Sequence, residues 1–168
     1  GVELDQNRDD PQRQKRTLLF EINQAASDYF HGLLLNHQGA QVARAYLERR
    51  QIDEKTTEQF QLGYALDAWS GLMDHLSSRG YSVEDQFAAG MLKHNEQRNS
   101  YYDAFRGRLI IPIRSRQGRV IGFGGRVLGD GVPKYLNTSE TPLFHKSSVV
   151  YGLDLAHRGI ADQDKAII

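Results

Sequence analysis

The chain has 168 residues, 39% of them apolar, with 21 basic and 21 acidic side chains in balance and no cysteine. That is enough for one domain, or one domain with a small satellite, and it excludes disulfides and thiolate metal sites. No apolar run reaches the roughly 18 residues of a membrane span and the polar opening, Gly1 to Arg16, lacks the apolar stretch of a secretory signal, so a cytoplasmic protein is expected.

Residues 1–13 are charged, contain Pro11 and show no apolar period, so a linker or arm is expected there. Over 14–36, Leu18, Leu19, Ile22, Ala25, Ala26, Tyr29, Phe30 and Leu33 recur at three- and four-residue intervals, which predicts a helix. A second helix fits 39–50, with Val42, Ala43, Tyr46 and Leu47 on its apolar face and Arg49 and Arg50 where cations suit the dipole. A third begins at Asp53, a capping residue type, and runs to Phe60. Phe60, Leu62, Tyr64 and Leu66 alternate, predicting a strand over 60–66. Short helices fit 68–78 and 82–88, with Gly80 and Gly90 marking their ends.

The second half reads as β structure. Residues 108–114 and 119–128 flank Ser115-Arg116-Gln117-Gly118, a hairpin signal. Leu109, Ile111 and Ile113 would share one face of the first strand. Gly122, Gly124 and Arg126 would share one face of the second. Pro112 removes a ladder donor, so its strand should be an edge or carry a bulge. Residues 134–137 fit a short strand. Residues 148–151, 153–158 and 165–168 read as strand, helix and strand. The first residue is not Met, and Lys165-Ala166-Ile167-Ile168 opens like a buried strand, so a piece of a longer polypeptide is expected.

Charge is uneven along the chain. Residues 106–146 hold eight cations (Arg106, Arg108, Arg114, Arg116, Arg119, Arg126, Lys134, Lys146) against two acids (Asp130, Glu140), which leaves the remainder net negative. A local cationic face of this kind suits a polyanion. Beside Gly122 and Gly124, a phosphate or sugar could approach bare backbone and meet the Arg126 guanidinium. Equally, the glycines could make room for a neighbouring element. Lys134, Tyr135 and Asn137 supply a cation, a stacking ring and an amide within four residues. A regular strand would turn Lys134 away from Tyr135 and Asn137. His145 can extend the basic face or be an ordinary surface histidine. The six histidines have no metal spacing, and no paired carboxylates or nucleophilic triad stand out, so neither a catalytic residue nor a metal ligand is expected.

RLIIPIRSRQGRVIGFGGRVL, PKYLNTSET and LFHKSSVVYGLDLA closely resemble bacterial replicative DNA primase, the DnaG family, in family order and spacing. AYLERR at 45–50, FQLGYA at 60–65 and AAGML at 88–92 resemble it too. Where that family has Arg-Gly-Leu, this chain has Arg50-Gln51-Ile52, keeping the arginine.

The resemblance implies an α+β fold in which helices precede a small, mainly antiparallel twisted sheet. It implies that 14–164 form the N-terminal subdomain of the primase catalytic core, and that 165–168 open a Toprim subdomain whose Glu and Asp hold Mg²⁺. It implies zinc in a separate N-terminal domain of the parent protein. The parent's activity would be synthesis of short RNA primers from NTPs on single-stranded DNA, passing through an RNA–DNA hybrid, at the bacterial replication fork. Its other parts would bind the replicative helicase. Arg126, Lys134, Tyr135, Asn137, Lys146 and Arg50 match positions implicated in nucleotide or nucleic-acid binding; Arg50 rests on the resemblance alone. The 168 residues by themselves would be inactive. Two rivals remain open at this point. One is a non-catalytic module for single-stranded nucleic acid in a primase-like protein. The other is an interaction domain whose basic stretch meets an acidic partner.

Overall fold

A computed structural model describes residues 10–145. Lys146 and the strand, helix and strand expected over 148–168 lie outside the described residues. Helix α1 spans Pro11–Asn36. The Asp10 carboxylate accepts the Gln12 N–H at 3.0 Å, and Pro11 sits in the first turn, where no amide donor is needed. The helix thus starts before the predicted 14, because its first turn is polar and carries no periodic signal. Leu19, Ile22, Ala26, Phe30 and Leu34 form its buried stripe. The helix predicted over 39–50 divides into a 3₁₀ turn, Gln38–Ala40, and helix α2, Gln41–Arg49. The His37 ring starts the turn by accepting the Gly39 N–H.

Four helices end in one way. They are α2, α3 (Glu54–Phe60), α4 (Gly71–Ser78) and α5 (Val83–Ala88). After each, one residue takes left-handed φ: Gln51 at 56°, Gln61 at 51°, Gly80 at 93° and Gly90 at 83°. The next residue returns its N–H to the helix. Ile52 donates to Leu47 O, Leu62 to Thr57 O, Tyr81 to Leu76 O and Met91 to Gln86 O, all within 3.1 Å. This reversal satisfies orphan carbonyls and sends an apolar residue back to the core. It also shortens the strand predicted over 60–66 to β1, Gly63–Ala65. Phe60 and Gln61 serve the helix end instead. Asp53 caps α3 as its residue type predicts, accepting Thr56 N–H at 2.8 Å. Ser82 caps α5 in the same manner.

Strands β4 (Arg108–Arg114), β5 (Val120–Val127) and β6 (Tyr135–Asn137) join β1 in an antiparallel sheet of order β1-β4-β5-β6. The fold is α+β, as the resemblance implied. Gly63 of β1 lies directly on α1, where an added Cβ would come within 2.6 Å of Phe30 Cβ. On that side Ile110 and Phe123 join Leu19, Ile22 and Phe30 in the larger core, and the Phe30 and Phe123 rings meet edge-on at 5.5 Å. On the other side Leu109, Ile111 and Tyr64 pack with Leu34, Ala43, Leu47, Ile52 and Leu62. Pro112 is accommodated as expected. Pairing with β1 stops at Ile110, and a register shift follows at Ile113–Arg114.

A second, two-stranded sheet pairs β2 (Leu92–Asn95) with β3 (Ser100–Asp103). It has no counterpart among the predicted elements. Its strands are polar and lack clean alternation, so the pattern that reveals β4 and β5 is missing. It is tied to α4 instead. The buried Asp103 carboxyl accepts the N–H groups of Leu72 at 2.8 Å and Met73 at 3.0 Å, and its own N–H donates to Trp69 O at 2.7 Å.

Candidate nucleic-acid interface

Arg126 and Tyr135 face one another in the β5–β6 register, so their side chains leave the sheet on the same side. The Arg126 guanidinium carbon lies 5.8 Å from the Tyr135 ring centre and 4.8 Å from that of Tyr46 on α2. Arg50, one turn after Tyr46, places its guanidinium carbon 5.4 Å from the same Tyr46 ring. Lys134 Nζ stands 5.9 Å from Tyr135. Two tyrosine rings therefore interleave three cations, a spacing at which the ring face attracts positive charge. Among the described residues, Arg126 Nε is buried without a hydrogen-bond partner.

The structure brings together most of the sequence candidates. Arg126, Lys134 and Tyr135 form one cluster, joined by Arg50. Lys134 reaches it because it precedes β6 and is not bound by the strand's alternation. Asn137 pairs with Gly124 on the side shared by Tyr135 and Arg126, and it is exposed. Lys146 lies outside the described residues. Tyr46 escaped the sequence reading, which set it on the apolar face of α2. It does pack against that core, but its ring also carries the two arginines.

The open-backbone reading of Gly122 is corrected. An added Cβ would meet the Phe144 ring at 2.8 Å and Thr138 Oγ1 at 3.1 Å. Thr138 is buried, and its hydroxyl accepts the Phe123 N–H at 2.8 Å. The Thr141 hydroxyl accepts the N–H groups of Leu143 and Phe144, which turns Phe144 onto the strand. Gly122 thus makes room for the segment 138–144. The cationic surface begins farther along β5, at Arg126.

A second aromatic–cation group escaped the sequence reading too. Trp69, 66% exposed, crosses the Tyr102 ring edge-on at 5.5 Å, and the Arg106 guanidinium carbon lies 4.1 Å from its centre. Tyr102, Arg106, Lys93 and Arg108 line a cleft of about 560 Å³ that Val127 and Leu136 also border. Arg108 is buried, with Nη1 directed at the carbonyls of Gly125 and Lys134, 3.4 Å from each. Burial and the neighbouring Arg106 lower its pKa. The cue in sequence was a large aromatic, Trp69, set among the small or polar residues Asp67, Ala68, Ser70 and Gly71, which periodicity does not register. Among the described residues, no group of three or more His, Asp or Glu side chains is placed to hold a metal. No described helix is long and apolar enough to cross a membrane.

A DNA primase from Synechocystis is 44% identical over 155 residues, covering 91% of this chain and 24% of that protein. A structure described as the DnaG primase catalytic domain bound to ssDNA superposes with a TM-score of 0.74 at 37% identity, covering 80% of this chain and 43% of that one. The RNA polymerase domain of Mycobacterium tuberculosis primase DnaG gives a TM-score of 0.76 at 39% identity, covering 88% and 48%. The chain spans about a quarter of the length of such full-length relatives. Residues 29–157 match the family described as DNA primase catalytic core, N-terminal domain, and the chain belongs to that family.

Proposed function

We propose that this chain forms the basic wall of a primer-synthesis site in a bacterial DNA primase. Arg126, Lys134 and Arg50 meet phosphates of an incoming NTP or of the template, and Tyr135 and Asn137 position a sugar or base. Lys146 extends the same series. The observation that carries this reading is the Arg126–Tyr46–Arg50 and Arg126–Tyr135–Lys134 contact set, which gathers three cations around two rings. A guanidinium held by an aromatic face keeps its N–H donors for a phosphate. Trp69 under Arg106 offers a stacking surface for an unpaired base.

The proposed activity is that of the whole parent protein. It joins NTPs into short RNA on single-stranded DNA in the cytoplasm, at the replication fork, through an RNA–DNA hybrid, with the replicative helicase bound by other parts. Mg²⁺ would neutralise charge at the transferred phosphate, and zinc would be held in a separate domain. The described residues do not provide a carboxylate set for Mg²⁺, so their contribution is charge and stacking. The 168 residues alone are accordingly proposed to make no dinucleotide with Mg²⁺ and NTPs.

The test is fluorescence anisotropy of labelled single-stranded DNA with the full-length protein across a salt series. Each phosphate contact contributes a slope of about −0.7 in the logarithm of affinity against salt. Arg126→Ala and Lys134→Ala should each lower affinity and shallow that slope. Unchanged affinity and slope in both variants would reject the reading. A wild-type protein that binds without salt dependence would favour an interaction domain.

A further inference from the structure

We propose that Tyr46 is the positioning residue of this interface, holding the Arg50 and Arg126 guanidinium groups as a pair on the phosphate chain of one ligand. The inference rests on the phosphate-binding reading of Arg126.

Tyr46 on α2 and Arg50, which caps that helix with helical dihedrals, are one turn apart and so share a face. Arg126 arrives from β5, far away in sequence. The two guanidinium carbons lie 5.4 and 4.8 Å from one ring centre, so their separation cannot exceed those distances laid end to end. Two like charges within that limit repel one another. The negative face of a tyrosine ring attracts both and offsets that repulsion. Tyr46 is suited to the task because it is anchored on its other side, packed against the core that holds Leu47, Leu62 and Leu109. Arg50 is fixed from behind, where the left-handed Gln51 and the Ile52-to-Leu47 hydrogen bond close the helix end. Arg126 Nε is buried with no hydrogen-bond partner among the described residues. Ring contacts, rather than a carboxylate, therefore aim its guanidinium.

A purely structural Tyr46 would fill space, and any apolar residue of similar size would serve. A positioning Tyr46 needs the electron-rich ring. The hydroxyl is dispensable, so Tyr46→Phe should bind as the parent does. Replacing that phenylalanine with its pentafluoro analogue preserves the shape and reverses the ring's electrostatic sign. Affinity should then fall about five- to tenfold, the scale of one or two lost cation–π contacts. Tyr46→Leu should fall at least as far. When Arg126→Ala is already present, ring fluorination should cost clearly less, because one of the two cations is gone.

The measurement uses the full-length protein and two separate probes, ATP and a labelled single-stranded oligonucleotide. Weakening confined to ATP identifies the nucleotide's triphosphate as the paired ligand. Weakening confined to the oligonucleotide identifies the strand backbone. If Arg126→Ala weakens a probe but the fluorinated ring binds it like phenylalanine, Tyr46 is a space-filler and the inference is overturned. If neither change alters either probe, the phosphate-binding reading of Arg126 fails, and this inference with it. The fluorinated variant keeps the comparison decisive should Tyr46→Leu not fold.

Discussion

The Asp103 carboxyl receives the N–H of Leu72 at 2.8 Å, so a residue of strand β3 starts helix α4. Ser70, the residue in the usual capping position, makes no such bond. Burial pushes the Asp103 carboxyl up to about 6, against the two backbone N–H bonds that favour its charged form. Between pH about 4 and 6 the folded protein therefore keeps a proton that the unfolded chain releases. This group's contribution to stability is full below about 4 and declines as pH rises through 6.

His75 acts in the opposite sense. Burial lowers its pKa, so its contribution is lost as pH falls below the unfolded value of 6.5. Asp53 and Asp85, both lowered by hydrogen bonds, also lose their contribution on acidification, below the normal carboxylate range. The difference between parent and Asp103→Asn isolates the Asp103 share. In thermal melts from pH 4 to 8, Asn should destabilise most at pH 4, and the gap should narrow toward pH 7. A constant gap would contradict the assignment.

Gln51 and Gln61 occupy a conformation that costs a non-glycine residue roughly 1 kcal/mol. Gln51→Gly and Gln61→Gly should each be neutral to stabilising, by up to about 1 kcal/mol, since glycine's greater unfolded-state entropy offsets part of the gain. Gly90→Ala should do the reverse. Its φ is 83°, and the new methyl would sit 2.7 Å from Thr138 Cγ2. A loss of about 1–3 kcal/mol is expected from strain and overpacking. Denaturant midpoints at constant m-value measure all three.

Gly122→Ala should loosen the 138–144 segment, because the added methyl meets the Phe144 ring at 2.8 Å. We expect about 1–3 kcal/mol of destabilisation. Amide exchange of Leu143 and Phe144, whose N–H groups bond to Thr141 Oγ1, should quicken more than that of the β2–β3 hairpin. Uniform acceleration would point to general destabilisation.

Trp69→Ala in the full-length protein should weaken single-stranded DNA by about 1–3 kcal/mol if one base stacks there. The salt slope should stay unchanged, since no cation is removed. Arg106→Ala should lower both affinity and slope. Anisotropy titrations at several salt concentrations separate the two effects.

The β4–β5 hairpin was legible because its short apolar, β-branched runs, buried on both faces, are bounded by the Ser115–Gly118 turn signal. Helix ends at Gly80 and Gly90 were legible because glycine advertises left-handed φ. The helix ends at Arg49 and Phe60 fall close to the predicted 50 and 60, but the left-handed turns at Gln51 and Gln61 that make them were not legible, since glutamine carries no such signal and the core compels the turn. The β2–β3 hairpin was hidden because tertiary bonds to α4 and aromatic contacts, rather than an apolar stripe, support it. In the interface, Arg126, Lys134 and Tyr135 could be named by chemical type. Tyr46 could not, because a half-buried aromatic on an apolar helix face looks the same whether it only packs or also carries charge.

The pleat of β4 and β5 gives the interface a built-in safeguard. Leu109 and Ile111 are buried on the side of the sheet from which Arg126 emerges. Were β5 to slide by a single residue against its neighbours, Arg126 would turn toward the hydrocarbon interior and Phe123 toward the wrong layer. Such a misfolded chain could not accumulate as a stable, non-binding impostor, because the error that misdirects the guanidinium also dismantles the packing that keeps the protein folded.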